Sequence, residues 1–296
     1  MPVENILLTG GSGFIGKNIV ESLLAKKYNI IAPGHKDLDL MDEHKVRDFF
    51  KKNNIDIVIH SACKPGHRNA KDPTNILYTN TRMFFNLVHN STLYKKMILM
   101  SSGAIYDMRY YQPKMKEDYF GFHVPVDEHG FGRYVCARYI EQVDNIIELR
   151  IFGIFGKYED YAIRFISNAI CKVIFDLPVT IKQNRNFDYL YINDLMPVLD
   201  YFTGNKPAYK VYNVTPDSSI DLYSLARKVI TISGRDLPVI ISQPGMGNDY
   251  SGDNTRLHRE IKNLKITPLD EAIKELYEWY SNNKHLINRE VLLFDK

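Results

Sequence analysis

Three glycines at a regular spacing, Gly10, Gly13 and Gly16, are the residues of this sequence with the clearest chemical use. They follow the apolar run 6–9, which suits a buried parallel strand, and they precede a helical pattern that reaches position 25. In this arrangement the first glycine permits a tight turn, the second lets the backbone approach a pyrophosphate, and the third lets the helix pack on the strand. The helix amino terminus then faces the phosphates. The stretch therefore predicts a dinucleotide-binding turn.

Further strands and helices must build a sheet around this turn. The apolar segments 29–33, 55–60, 96–101 and 145–150 are predicted as strands, and the patterns at 42–53 and 76–89 as helices between them. Alternating strands and helices indicate an α/β fold with a doubly wound parallel sheet. Residues 107–128 are predicted as a long polar and aromatic loop, which either covers a substrate or is merely solvated.

Composition excludes several classes of function. A net charge of +3 over 296 residues is too small to indicate nucleic-acid binding. The cysteines Cys63, Cys136 and Cys171 are too few and too scattered for a disulfide framework or a zinc site, so we expect a reducing cytoplasm and no metal. No apolar run approaches the ~18 residues of a membrane span. The first strand begins within about five residues of the start, which leaves no room for a signal peptide.

The spacing Gly-x-x-Gly-x-x-Gly, preceded by Thr9, resembles the extended short-chain dehydrogenase/reductase family of NAD-dependent epimerases and dehydratases, whose members mostly act on nucleotide-linked sugars. The resemblance implies an NAD(P)-binding Rossmann domain at 1–152, with a returning segment near 187–214, and a smaller α/β lobe at 153–296 that mainly binds substrate. The active site would lie in the cleft between them, and a homodimer is a possible assembly. Cofactor contacts are implied for Thr9, Gly10, Gly13, Phe14, Ile15, Gly16, Asp39, Leu40, Ser61 and Ala62.

The residues after the second predicted strand bear on the choice of cofactor. An acidic residue there would bond the ribose 2′-hydroxyl and repel a 2′-phosphate. This chain has Gly34, His35 and Lys36 instead, and its first carboxylate is Asp37. The sequence therefore favours NADP(H), with His35 and Lys36 near the 2′-phosphate and NAD as the alternative.

The stretch 101–106 resembles the family signature Ser-Ser/Thr-x-Ala-x-Tyr, which implies that the Ser102 hydroxyl bonds the reacting carbonyl or hydroxyl group. Family dehydratases carry an Asp-Glu pair directly after this hydroxyl, where the present chain has Gly103 and Ala104. The fucose-type epimerase/reductases carry a cysteine at the position of Ala104. The missing acid and base groups favour simple hydride transfer.

The family's tyrosine and lysine, four residues apart at the start of a helix, have two candidate positions here. His129 and Arg133 keep the glycine of the motif but replace both catalytic residues, whereas Tyr134 keeps the tyrosine and loses the rest. A helix beginning near Gly130 would be ~20 Å long and one beginning near Tyr134 only roughly 15 Å, which is short for crossing the sheet. We therefore favour His129 as proton donor with Arg133 beside it, since histidine exchanges protons near neutral pH.

The second half of the chain keeps the family pattern in weaker form. Where the family has a substrate-contacting asparagine this chain has Gly153, and where it has a phosphate-binding arginine the chain has Phe187. Arg185, two residues earlier on the same strand face, is a candidate replacement. Arg256 lies in an Asp-x-x-Arg stretch like the one before the family's final helices, and it is the second candidate for substrate binding.

These features predict an NADP(H)-dependent reductase of a nucleotide-linked 4-keto sugar that serves surface-polysaccharide synthesis. An NAD-dependent nucleotide-sugar 4-epimerase is the alternative within the same fold. A nucleotide-binding relative that has lost catalysis, because its Tyr/Lys pair is replaced, is the alternative from another class.

Overall fold

The computed structural model describes residues 3–67 and 69–294 of the chain. In chain order the strands are β1 (Asn5–Thr9), β2 (Asn29–Ile31), β3 (Ile57–His60), β4 (Lys96–Ser102), β5 (Ile146–Ile151), β6 (Gly153–Phe155), β7 (Val179–Asn184), β8 (Asn186–Phe187), β9 (Tyr189–Tyr191), β10 (Val211–Val214), β11 (Ile220–Asp221) and β12 (Val239–Met246). The helices are α1 (Phe14–Glu21), α2 (Leu24–Lys27), α3 (Glu43–Lys52), α4 (Ile76–Val88), α5 (Glu128–Ile140), α6 (Phe165–Ile174), α7 (Ile192–Gly204), α8 (Leu222–Ser233), α9 (Thr255–Glu260) and α10 (Leu269–Asn282).

The main sheet is parallel throughout its described part, in the strand order β10-β5-β4-β3-β1-β2. Its central strands are apolar and buried on both faces, because helices cover both sides of such a sheet. The order reverses at β1, with β2 on one side and β3 on the other, and crevices for ligands form at such reversals. The predicted doubly wound α/β fold is confirmed.

The carboxyl ends of the sheet strands lie along one edge. Thr9 pairs with His60 between β1 and β3, and Ser102 pairs with Ile151 between β4 and β5. β10 adds to β5 in parallel, from Val211 opposite Glu148 onwards, so the chain returns to this sheet after forming part of the second lobe. The glycine turn and Ser102 therefore share one edge.

The second lobe consists of short strand pairs, β6 with β9, β7 with β12 and β8 with β11, packed against α6, α8 and α10. Its core continues the core on one face of the main sheet, because α6 and α8 contribute buried apolar side chains to the same cluster as β4 and β5. β12 runs parallel to β7, from Val239 opposite Val179 to Met246 opposite Asn184. Among the described residues, every helix is too short or too polar to cross a bilayer.

Two local expectations differ from the structure. The helix predicted to reach position 25 is interrupted after Glu21, because the Ser22 hydroxyl donates to the Ile19 carbonyl and accepts from the Leu24 amide. The segment predicted as the loop 107–128 is packed: Met115 and Glu117 are buried, and Glu117 accepts a hydrogen bond from the Asn213 backbone on β10. This segment is thus part of the wall beside Ser102.

Candidate active site

The glycine turn fits tightly against the strand end beside it. Gly10 has φ +73°, and a Cβ there would lie 2.7 Å from the Ala62 nitrogen. A Cβ on Gly16 would lie 2.2 Å from the Gly10 carbonyl oxygen, while the Gly13 amide donates to that same oxygen at 2.9 Å. Gly10 and Gly16 are therefore required by the left-handed backbone and by close packing.

Gly13 differs from the other two glycines because its open side faces outwards. It is exposed and caps the amino terminus of α1, and a Cβ on it would have the Gly10 oxygen as its nearest neighbour, at 3.3 Å. Phe14 and Ile15, half-buried, begin the helix. An exposed glycine at a helix amino terminus is the arrangement that accepts a pyrophosphate, so these residues fit the predicted dinucleotide.

Thr9 and His60 lock the ends of β1 and β3 together. The Thr9 hydroxyl lies 2.7 Å from His60 Nδ1 and accepts from the Ala62 amide at 3.2 Å, which fixes the Ser61-Ala62 segment beside the glycine turn. Both side chains are buried. Burial, reinforced by the charge of Arg133, lowers the pKa of His60 to about 3, so its imidazole is neutral at physiological pH. Thr9 and His60 therefore fix the ends of β1 and β3 at the sheet edge where the cofactor is predicted to bind.

The turn after β2 presents His35 and Lys36 to solvent. The Asp37 carboxylate bends back to accept from the Gly34 amide at 3.3 Å, and both His35 and Lys36 are exposed. His35 Nδ1 is 3.8 Å from Asp39 Oδ1. The side chains of His35 and Lys36 are thus exposed where a ligand could contact them, while the Asp37 carboxylate bonds within the turn.

Asp39 and Leu40, which are predicted together as cofactor contacts, have different surroundings. Asp39 is half-buried, and its carboxylate accepts from the Met41 amide at 3.0 Å. Leu40 is buried in the core cluster under α3 and α4, and its carbonyl accepts from the Asn86 amide group at 2.8 Å. The Leu40 side chain thus packs in the core, and the cofactor contacts expected of Asp39 and Leu40 stay predictions.

Ser102 ends β4 and lies over a buried polar network. Its Oγ accepts from the Ala104 amide at 3.1 Å and lies 3.5 Å from the Tyr250 hydroxyl. Directly before it, Ser101 donates to the buried Glu148 carboxylate at 2.7 Å, and Arg150 closes a buried ion pair with Glu148 at 2.9 Å. Such a fully hydrogen-bonded network rigidifies the strand ends beneath the Ser102 hydroxyl.

Helix α5 begins at Glu128 and is capped by Asp127, whose carboxylate accepts from the Gly130 amide at 2.8 Å. Its first turn packs closely on the turn after Ser102, because a Cβ on Gly130 would lie 2.7 Å from the Ala104 carbonyl oxygen. His129 lies in this first turn, and one turn later comes Arg133. The helix start and Ser102 thus form adjoining walls.

Arg133 ties α5 to two strand ends. Its guanidinium donates to the Met100 carbonyl on β4 at 3.0 Å and to the Cys63 sulfur after β3 at 3.2 Å. Arg133, His129 and His60 line one small cavity. Burial, followed by the charge of Arg133, lowers the pKa of His129 to about 4. The imidazole of His129 is therefore neutral near pH 7.

Tyr134 points to a different environment from His129. Its hydroxyl accepts from Arg138 Nε at 3.1 Å, and its ring packs against Phe120 at a centroid distance of 4.9 Å. These contacts hold the Tyr134 phenol against Phe120, which belongs to the packed segment 107–128 beside Ser102.

The two arginines predicted for substrate binding have unlike surroundings. Arg185 is half-buried between β7 and β8, and a Cβ on Gly247 would lie 3.3 Å from its Nε. Arg256 instead donates to Asp118 at 2.6 Å and to the Val211 carbonyl at the amino end of β10. These contacts engage the Arg256 guanidinium with Asp118 and with β10, and its substrate role stays a prediction.

Sequence reasoning missed Tyr250 and Tyr111. The Tyr250 ring lies 5.3 Å from that of Tyr111, whose hydroxyl donates to the Gly103 carbonyl at 2.8 Å. Both belong to irregular segments, and each reaches Ser102 through tertiary packing, so periodicity and motif spacing carried no signal for them.

Comparison with known proteins identifies the family. A model of the NAD dependent epimerase/dehydratase family matches residues 6–215. GDP-L-fucose synthase of Azorhizobium caulinodans is 27% identical over 171 residues, which are 53% of this chain and 54% of that protein, so the match spans about half of the relative. A putative UDP-glucose 4-epimerase of Methanocaldococcus jannaschii is 24% identical, over 94% of this chain and 99% of that protein.

Among solved structures, GDP-mannoheptose C4 reductase from Campylobacter jejuni, solved with NADP bound, superimposes with a TM-score of 0.79. It is 23% identical, and the superposition covers 95% of this chain and 99% of that one. At this identity the superposition shows the shared fold. The family match, which spans most of the chain including the glycine turn and Ser102, confirms the resemblance found in the sequence: the chain belongs to the NAD dependent epimerase/dehydratase family.

Proposed function

We propose that this protein is an NADP(H)-dependent reductase of a nucleotide-linked 4-keto sugar. Family membership supports chemistry on a nucleotide sugar. The glycine turn and Ser102 lie on one edge of the parallel sheet, which is where a nicotinamide and a reacting sugar carbon can meet.

The proposal of hydride transfer, rather than elimination or epimerisation, rests on the residues around Ser102. Gly103 lies where a Cβ would be 2.7 Å from the Phe152 ring, and Ala104 faces the start of α5. Neither position offers the acid and base groups expected for elimination or for epimerisation beside the ketone. Hydride transfer needs only a hydrogen bond to the carbonyl oxygen and a proton, so it is the reaction that these surroundings favour.

Each residue has a proposed task. A bound nicotinamide would supply the hydride, with its pyrophosphate held at Gly13 and its 2′-phosphate near His35 and Lys36. The Ser102 hydroxyl donates a hydrogen bond to the ketone oxygen, which polarises the carbonyl. The Arg133 guanidinium, which donates to the Met100 carbonyl, supplies positive charge beside the carboxyl end of β4.

His129 and Arg185 complete the proposed site. The neutral imidazole of His129 suits a hydrogen-bond donor to sugar or ribose better than a source of protons, because its pKa of about 4 leaves it uncharged at pH 7. Arg185 is proposed to bind the diphosphate of the sugar nucleotide, since its half-buried side chain lies beside Gly247 in the second lobe. Guanidinium groups bind phosphate oxygens in a bidentate manner.

The cellular setting is part of the proposal. The reduced sugar would serve surface-polysaccharide synthesis in the cytoplasm, with the enzyme as a homodimer. Free cysteines at positions 63, 136 and 171 support a reducing compartment.

The test is a panel of GDP- and UDP-linked 4-keto sugars, including 4-keto heptoses, with loss of NADPH absorbance as the readout. We expect NADPH oxidation with at least one ketone, and Ser102→Ala to slow it roughly 10²-fold while NADPH binding stays unchanged. Failure of every ketone, with NADPH still bound, would contradict the reductase.

A 4-epimerase is the second candidate, because the UDP-glucose 4-epimerase relative matches over almost its whole length. An epimerase must retain NAD through turnover, so it would purify with nicotinamide absorbance and interconvert UDP-glucose and UDP-galactose without added cofactor. Binding of nucleotide without either reaction would favour the non-catalytic alternative.

A further inference from the structure

We propose that Tyr250, from the second lobe, donates the proton to the reacting oxygen in place of the family's helix tyrosine. This inference rests on the proposed reductase function. It assigns a catalytic task to a residue far in sequence from the family motif and from α5.

The position of the phenol relative to Ser102 is the first support. The Tyr250 hydroxyl lies 3.5 Å from Ser102 Oγ, the group proposed to bond the ketone oxygen. An oxygen bonded to Ser102 is therefore within reach of the Tyr250 hydroxyl, directly or through the serine hydroxyl itself. General acids act at hydrogen-bond distance, and such distances commonly tighten when substrate binds.

The Tyr250 ring is held on several sides by aromatic side chains. Its centroid lies 5.0 Å from Phe187, 5.1 Å from Phe152 and 5.3 Å from Tyr111. Phe152 follows β5 directly, so the main sheet and the second lobe both contact the ring. These contacts restrict the ring to one orientation, with its hydroxyl towards Ser102.

The backbone around Tyr250 is fixed as well. Its amide donates to the Asn186 carbonyl at 2.9 Å, and its carbonyl accepts from the Asp188 amide at 3.1 Å. Two residues on, the Gly252 amide donates to the buried Asp188 carboxylate at 2.9 Å. The same carboxylate accepts from Thr215 at 2.5 Å and from Ser219 at 2.6 Å. A group held by this many bonds is preorganised, as a catalytic acid must be.

The burial of Tyr250 favours the protonated phenol. Burial raises the pKa of Tyr250 above the ordinary value for tyrosine, and the negative charge of Asp188 acts in the same direction. Arg164, Ser102 and Tyr111 act in the opposite direction and are outweighed. The phenol is therefore protonated at neutral pH, which is the form that can give a proton to an alkoxide.

The other candidates near the site are less suited to this task. His129 is neutral and could give up only a weakly acidic N–H proton. The Tyr134 hydroxyl is bonded to Arg138, and the Tyr111 hydroxyl donates to the Gly103 carbonyl. Tyr250 combines a protonated phenol with proximity to Ser102.

Reduction requires one hydride and one proton at the ketone. The ketone carbon would gain a C–H bond through hydride from a bound reduced nicotinamide, and the C=O π electrons would move to oxygen. That oxygen would form an O–H bond with the proton of the Tyr250 hydroxyl, whose own O–H bond breaks. The tyrosinate would then recover a proton from solvent, so the net change is one ketone, one reduced nicotinamide and one solvent proton converted to one alcohol and one oxidised nicotinamide.

The first test is Tyr250→Phe, which keeps the ring and removes the hydroxyl. We expect kcat for reduction of a GDP-linked 4-keto sugar to fall roughly 10²- to 10⁴-fold, with NADPH affinity and sugar-nucleotide KM changed less than about threefold. Tyr134→Phe is the matched control and should keep the original kcat. A Tyr250→Phe enzyme with undiminished kcat would overturn the inference while leaving the reductase intact.

The second test places 3-fluorotyrosine at position 250, which preserves the ring and makes the phenol more acidic. The alkaline limb of kcat should move to lower pH, an effect that a merely structural tyrosine would not produce. The fluorine NMR signal should also shift when GDP-mannose is added with NADP⁺. If no ketone is ever reduced, a shifted signal still supports the contact with sugar and locates the failure in the proposed reaction. An unmoved signal overturns the inference.

Discussion

The glycine turn after β1 and the wall around Ser102 belong to one sheet edge, yet they are built in different ways. The turn is formed within residues 10–16, and it also lies close to Ala32 after β2 and to Ser61 and Ala62 after β3. The wall around Ser102 joins the start of α5 at Gly130 with Tyr250, more than a hundred residues further along the chain. The first region is local, and the second exists only after the two lobes have packed.

This difference explains why the two regions tolerate change differently. A glycine turn that must approach a pyrophosphate leaves few alternatives, because any side chain there collides with backbone or ligand. A proton, in contrast, can reach a ketone oxygen from any acid that the fold brings within reach. Replacement of the helix tyrosine by His129 is thus compatible with catalysis if another element supplies the phenol.

The largest effects are expected from the glycine turn itself. Gly16→Val should prevent stable folding, because its Cβ would lie 2.2 Å from the Gly10 oxygen and 2.6 Å from Gly11 Cα. Gly13→Val should leave the protein folded, since its nearest contact is at 3.3 Å, but it should abolish NADPH binding. Thermal unfolding and NADPH titration of both variants measure this. A folded Gly13→Val protein with full NADPH affinity would contradict the cofactor site.

The local part of this molecule follows closely from its sequence. The strand, turn and helix around Gly10, Gly13 and Gly16 follow from periodicity and spacing, and so does the start of α5 near Gly130, whose glycine permits contact with the Ala104 carbonyl. The packing of the Leu40 side chain in the core could not be predicted, because a motif position does not reveal which way a side chain packs. The ion pair of Arg256 with Asp118 could not be predicted, because it joins residues 138 positions apart.

Tyr250 could not be predicted for the same physical reason. Its ring is positioned by Phe152, Phe187 and Tyr111, which come from separate segments of the chain. None of these contacts has a periodic signature, and the stretch around Tyr250 reads as a loop. Sites assembled by tertiary packing become visible only when the lobes are seen together.

His129 and Tyr134, both on α5, are expected to differ in their importance for catalysis. His129→Ala should lower kcat roughly 10²-fold, because a hydrogen-bond donor beside the sugar is lost, while NADPH affinity is retained. Tyr134→Phe should change kcat less than about twofold, since its hydroxyl serves Arg138. Steady-state kinetics of both variants test this. If Tyr134→Phe is the crippling change, Tyr134 is the catalytic acid, and the assignments of both His129 and Tyr250 are wrong.

Acid should destabilise the protein through His60, which joins β3 to β1 beside the glycine turn. Burial lowers the pKa of His60 to about 3, whereas an unfolded histidine titrates near 6.5, so the unfolded state binds more protons over that interval. Stability should therefore fall as the pH drops below 6.5, by about 2 kcal/mol at pH 5 from His60. The test is urea unfolding of the original protein and of the His60→Gln variant at several pH values. The free energy of unfolding should depend less steeply on pH in the variant. Equal slopes would contradict a neutral buried His60.

The smallest effect concerns the cofactor's 2′-phosphate, at the outer end of the glycine-turn region. Lys36 is exposed in the turn after β2, where Asp37 is engaged with the Gly34 amide. We expect NADPH to bind more tightly than NADH, and Lys36→Glu to reverse or abolish that preference by weakening NADPH binding roughly tenfold, since one exposed ion pair contributes on the order of 1 kcal/mol.

The control variant is Lys265→Glu, which makes the same change of charge at an exposed site in the other lobe and so separates a local contact from an effect of net charge. The preference should shrink at high salt, because screening shortens the reach of an exposed lysine. Equal affinities for NADH and NADPH in the original protein would mean that the turn reads the ribose without regard to the 2′-phosphate, and NAD would then be the cofactor.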